Sequence, residues 1–165
     1  MSKRGFTLIE LIVVIVLLGF ITIKARPQLD NLPQTRAYFA IRKVQSDVRY
    51  AQLLAMETNA RTRVVFDAAA DSYQLDRETS PSVWTGVSNP STKGTYSVTL
   101  NSGDYSGVDI TGAAINATST VIFNVNGAPF DGSGNALTEP SQIELNSKYQ
   151  LRFRVETGKV DIVTL

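Results

Sequence analysis

One acid stands inside an otherwise uncharged apolar run. Residues 6–23 hold Glu10 and no other charge, and Lys3-Arg4-Gly5 comes directly before them. A helix rising ~1.5 Å per residue would carry this run ~27 Å, enough to cross the hydrocarbon core of a bilayer. A carboxylate in such a segment costs ~2.5–3.5 kcal/mol on insertion scales, so it calls for a partner or a role. Two chemistries are open to it. It can pair with a cation within reach, or it can escape to water at the interface, for which Glu has a shorter stem than Lys or Arg.

Other chemistries fall away quickly. The 165 residues contain no cysteine and no histidine, which removes disulfides, thiolate metal sites, cysteine nucleophiles and histidine-based triads together. Net charge is +1, so the totals indicate neither a strongly basic surface nor an acidic tail. Asp67, Asp71 and Asp76 cluster near one hairpin, and Asp131 stands beside Gly132, Gly134 and Asn135. A calcium loop needs oxygens at fixed offsets and a glutamate at the twelfth place; counting from Asp131 that place is Gln142. Turns built from Asp, Asn and Gly account better for both clusters. Glu78, Glu139, Glu144 and Glu156 show no catalytic pairing, and no phosphate-binding glycine motif occurs. No catalytic residue, cofactor or metal site is expected, and no enzyme activity. Arg152 and Arg154, flanked by Lys148 and Lys159, are the one weak nucleic-acid candidate. A solvated strand face explains them as well, and nucleic acid is not expected as a partner.

The elements that position these residues follow from periodicity. A secretory signal peptide would have a shorter apolar stretch and a small residue three back from its cut, where this chain has Ile23-Lys24-Ala25. Gly5 is the small residue that stands out, and a cut there would leave the run in place as an anchor. Lys3 and Arg4 put this end in the cytoplasm and the remainder outside. Pro27 should disrupt the helix at Ile23 and Pro33 at Leu29, leaving residues 24–33 as a kinked or locally unwound stretch, or a plain linker. From Gln34 to about Thr58 a helix resumes. Ile41, Val44, Val48, Ala51 and Ala55 form its buried stripe, Tyr38 extends the stripe by one turn, and Arg42, Lys43, Gln45, Asp47, Arg49 and Gln52 fill the other faces. The stripe would pack on a globular head, with a partner-helix seam as the alternative. Asn59 is the stop.

Beyond Ala60 the period becomes two. Strands are expected at 63–66 and 73–76 around a loop at 68–71, then at 95–100, 108–110 and 120–125, with a closing meander at 142–145, 149–155 and 160–165. Residues 79–94 and 128–140 read as long polar loops, with 131–135 Gly-rich. Tyr149, Leu151, Phe153 and Val155 should face the core, and Gln150, Arg152, Arg154 and Glu156 water. A helix followed by many antiparallel strands is an α+β class, with the sheet packed on the helix or folded into a sandwich beside it.

Gly5-Phe6-Thr7-Leu8-Ile9-Glu10-Leu11 resembles the processing site of type IV prepilins and type II secretion pseudopilins. The resemblance implies that a prepilin peptidase cuts between Gly5 and Phe6 and methylates the Phe6 amine. Glu10 could pair with that amine within one turn of the same subunit. The resemblance implies a neighbour's amine instead, which would set the axial register of a filament. Residues 47–55, Asn59 and 63–67, and later Phe123, Gly127 and 155–160, look like the junction and closing strands of the GspH/FimT group of minor pilins and pseudopilins.

The implied pilin-like organisation is a leader at 1–5, a transmembrane half-helix at 6–23, a kinked or meltable linker at 24–33, an amphipathic half-helix at 34–59 and a β-rich periplasmic head at 60–165. Implied partners are other pilin or pseudopilin subunits, the prepilin peptidase, an inner-membrane assembly platform and membrane lipid. The implied place is the inner membrane, crossed once, and then the filament. A filament-tip receptor for DNA or an exported protein, and a simple membrane-anchored periplasmic domain, are the competing readings.

Overall fold

The computed structural model describes residues 7–29 and 32–165, the side chains of 20–29 and of Leu32 excepted. It divides into Met1–Gln34 and Thr35–Leu165. In the first unit, α1 runs Leu8–Leu29. The Thr7 carbonyl accepts the Glu10 N–H at 3.1 Å and the Leu11 N–H at 3.3 Å, which fixes the helix start. The helix does not unwind from Lys24 as the prolines suggested. It continues two residues past Pro27, which in the last turn removes a single N–H donor. Pro33 is the second residue of α2, Leu32–Thr58, where a first-turn N–H has no intrahelical acceptor to lose. Residues 30 and 31 of the expected linker lie outside the described residues, as do Gly5 and Phe6. Among the described residues no helix is long and apolar enough to cross a membrane. The apolar run of the sequence begins at Phe6, outside them.

The second unit is α+β and antiparallel. Its strands are β1 Thr62–Asp67, β2 Ser72–Ser80, β3 Val83–Gly86, β4 Ser97–Thr99, β5 Ile110–Ala114, β6 Thr120–Phe123, β7 Pro129–Asp131, β8 Gln142–Leu145, β9 Tyr149–Phe153 and β10 Val160–Thr164. One sheet has the order β3-β2-β1-β6-β7, with β4 also paired to β2; the other has the order β10-β9-β8-β5. Both sheets and α2 share one core. Ala37, Ala40, Ile41, Val44, Val48, Ala51 and Ala55 are buried along the helix against Phe66, Tyr73, Leu75, Phe123, Leu151 and Phe153. Each large apolar side chain withdrawn in this way contributes about 1.5–3 kcal/mol.

The helix stripe differs from expectation at its top. Tyr38 is 38% exposed, and Ala37 and Ala40, four residues before Ile41 and Val44, take the inward places. Asn59, at φ 50, turns the chain left-handed directly after Thr58. Two short strands interrupt stretches expected as loops. β3 lies in 79–94, and β7 begins at Pro129, a residue that sheets accept at an edge. In β9 Gln150 is buried, not wet. Its side-chain oxygen accepts from the Arg152 guanidinium at 2.9 Å, and its amide reaches Glu144 at 3.4 Å.

Two glycines let the turns approach α2 closely. Gly127 (φ 77) and Gly158 (φ 65) occupy left-handed backbone, and a Cβ on Gly158 would lie 2.7 Å from the Gln52 amide nitrogen. That same nitrogen donates to the carbonyls of Gly127 at 2.7 Å and Thr157 at 2.9 Å. The helix thus holds both turns with one side chain.

Candidate functional site

Glu10 is the third residue of α1, and the whole described face around it is apolar and uncovered. Leu8, Ile9 and Leu11 to Leu18 are between 44% and 77% exposed. Thr7 and Glu10 have the Thr-x-x-Glu spacing of a helix capping box, and Thr7 Oγ1 accepts from the Glu10 N–H at 3.4 Å. The carboxylate therefore belongs to the first turn, where free N–H groups and the helix dipole favour negative charge. The Thr7–Glu10 spacing is a signal in the sequence that the membrane argument passes over. Around α1 the surface offers oil-seeking side chains on every side and one acid at the end where a new amine would appear.

The head's candidates are arranged differently. Arg152 and Arg154 share a groove of about 140 Å³ with Glu139, Ser141, Asp161 and Val163. Asp161 accepts from Arg154 at 3.0 Å and from Lys159 at 3.1 Å. Those two cations hold its carboxyl below the usual range. Of the four expected cations, Arg154 and Lys159 thus meet a carboxylate and Arg152 meets Gln150.

Asp131 accepts from the Asn116 amide at 2.9 Å and from the backbone N–H of Ser133 and of Asn135, each at 2.9 Å. Burial acts to raise its pKa, but these donors together hold it lowered. A carboxylate saturated with N–H donors organises a loop and has no lone pairs to spare for a cation. Asp67 accepts from the N–H of Ala69 and Ala70 in the same manner. Asp71 takes the Ile110 N–H at 2.8 Å, while Asp76 pairs with Arg63 at 2.8 Å. The three acids of the hairpin serve three separate contacts. Among the described residues no group of His, Cys, Asp or Glu is placed to hold a metal ion.

A buried polar cluster escaped the sequence reading. Asp47, placed there on an outer face of the helix, is 3% exposed. Its carboxylate accepts from Tyr73 at 2.6 Å, Tyr96 at 2.9 Å and Lys43 at 2.7 Å. Burial and then Asp47 push the Tyr73 hydroxyl well above its ordinary pKa. Burial alone would lower Lys43, but its bonds to Asp47 and Tyr96 leave it raised. All four groups satisfy one another, so the cluster reads as a structural tie between α2, β2 and the segment before β4. Beside it, Arg63 lies 4.6 Å over the Trp84 ring, and Arg61 pairs with Glu78, whose pKa that pairing lowers.

The family model for the prokaryotic N-terminal methylation motif matches residues 1–23. This is a pilin-like chain. Two solved structures of the minor pseudopilin EpsH from the type II secretion system of Vibrio cholerae share its fold. One is 14% identical, covers 78% of this chain and 97% of its own, and has a TM-score of 0.52. The other is 12% identical, covers 79% and 94%, and has a TM-score of 0.56. No curated relative matches the chain. The motif occupies the segment that bears Glu10, and the structural likeness embraces the α+β architecture.

Proposed function

We propose that this pilin-like chain is a structural subunit, a minor pseudopilin of a type II secretion system or a minor pilin of a type IV pilus. It is made as an inner-membrane precursor, cut after Gly5 and methylated at Phe6 by a prepilin peptidase, then drawn by an inner-membrane platform into a filament. Residues 6–23 supply the apolar core of that filament, and the β-rich head faces the periplasm. Pro27 and Pro33 bracket the segment most able to extend on assembly. The chain has no catalysis of its own.

The methylation motif across residues 1–23, with Glu10 in the first turn of an uncovered apolar helix, carries this reading. Uncovered apolar surface of this extent demands lipid or other helices. Once the leader is gone, the Phe6 amine is a cation at the right end of the helix, and a neighbour's Glu10 neutralises it in oil.

Mass spectrometry of the mature amino terminus tests the proposal. Methyl-phenylalanine as residue one supports it; an intact Met1 leader turns the chain into a simple anchored domain.

A further inference from the structure

The outward side of α2 carries a second periodic stripe that the head does not use. Phe39, Arg42, Ser46, Arg49, Leu53 and Met56 recur at spacings of three and four, opposite the buried stripe. Phe39 is 60% exposed, Leu53 61% and Met56 51%, and Arg42, Ser46 and Arg49 are exposed too. The stripe is narrow and runs for roughly 26 Å. A strict three-and-four seam is the coiled-coil pattern, narrower than the arc by which a helix lies on a membrane or a core. Ser46 is the small residue between two arginines, and the groove around it holds about 420 Å³. It has the form of a hole awaiting a knob.

Charge decides the occupant. Among the described residues neither Arg42 nor Arg49 has a carboxylate within 4.0 Å. Arg42 lies over the Tyr38 ring and donates to its hydroxyl at 3.0 Å; Arg49 reaches the Val160 carbonyl at 3.5 Å. Asp47, the acid nearest them in the helix, is buried and paired with Lys43. We propose that this stripe is a docking seam for a helix of a different protein, one with carboxylates facing Arg42 and Arg49 and apolar residues facing Phe39 and Leu53. A second copy does not fit. Under the filament reading, on which this inference rests, anchored chains run parallel, and a parallel copy in register would set arginine against arginine. Phosphates alone would leave Phe39 and Leu53 without a purpose.

The absence of cysteine makes the test direct. Leu53→Cys in the full-length chain, labelled in cells with a photoactivated maleimide crosslinker, is compared with Val83→Cys on the head. The expected adduct joins Leu53→Cys to a helical peptide of another protein with acids at three- and four-residue spacing. Arg42→Glu with Arg49→Glu should reduce its yield at least ten-fold, and the Val83→Cys yield should hold. A homodimer, a lipid or nucleic-acid adduct, an adduct to a basic or non-helical peptide, no adduct, or a yield indifferent to the charge reversal overturns the proposal. Sheared filament fractions from the same cells separate the two ideas. Absence of the wild-type chain from them defeats the filament reading, whereas wild-type presence without the acidic-helix adduct defeats the seam alone.

Discussion

The described part of α1 and the head obey opposite rules. Leu8 to Leu18 leave apolar side chains exposed on all sides, and the one acid among them, Glu10, has only its backbone N–H engaged by Thr7. In the head, among the described residues, no buried side-chain nitrogen or oxygen lacks a hydrogen-bond partner. The acids suspected of binding an ion are already saturated by N–H donors or cations. A surface left incomplete needs other molecules; a surface already satisfied holds its shape. Recognition chemistry therefore belongs to the helices, and the head acts as a rigid body that carries them.

The largest effect should come from breaking the incomplete side. Glu10→Ala is expected to lower entry into sheared filaments to under a tenth of wild type, measured by immunoblot. Head stability should stay within about 0.5 kcal/mol, as for substitutions remote from any core. Entry at the wild-type level would remove the register role. A head that melts earlier would show that the two regions are not separable.

Asp47→Ala breaks the closed side. Removing the carboxylate leaves two buried hydroxyls and Lys43 without their acceptor, at a cost of about 3 kcal/mol. Thermal unfolding followed through Trp84, the one tryptophan, should shift down by about 10 °C. The cluster also sets the alkaline limit. Tyr73, Tyr96 and Lys43 all have raised pKa values. Their contribution is whole below the ordinary values of 10.0 for tyrosine and 10.5 for lysine, and is lost as pH climbs through the raised ones. Asp131 and Asp161 are lowered from 3.8, so their contribution persists above that value and disappears as pH falls below it. The head should be level between these limits.

Gly158→Ala should cost about 2 kcal/mol. The backbone at φ 65 penalises any Cβ, and the new methyl would strike the Gln52 amide, the Gly127 carbonyl and the Phe123 ring. Gly134→Ala supplies the comparison: its φ of 85 is similarly unfavourable, but a Cβ there meets open space. The difference between the two variants measures how tightly that turn is held to α2.

What could be read in advance follows the same division. The motif around Glu10 and the apolar run are local in sequence and need no neighbours to interpret. The inward stripe from Ile41 to Ala55 was legible for the same reason, since helical period alone sets it. Asp47 was not. A charged residue in an amphipathic pattern reads as outward, and the hydroxyls that make burial tolerable come from Tyr73 and Tyr96, 26 and 49 residues along the chain. Tyr38 failed in the opposite sense, being apolar enough to count yet one position off the stripe that Ala37 holds. β3 and β7 are four and three residues long. Pairing with β2 and β6, not local propensity, makes them strands.

The smallest effect should come from Arg152→Ala with Arg154→Ala. A nucleic-acid surface needs cations free to replace counterions along the phosphates. Here Asp161 stands between Arg154 and Lys159 and already neutralises part of their field, and Arg152 is engaged with Gln150. Partly exposed ion pairs of this kind contribute about 0–1 kcal/mol, so the double variant should melt within about 1 kcal/mol of wild type. Wild-type chain should pass through DNA-cellulose at low salt, and the variant should do the same. Retention of the wild type that the double variant loses would mean that phosphate outcompetes Asp161. The head would then be a binding surface in its own right, and the contrast with the helices would no longer hold.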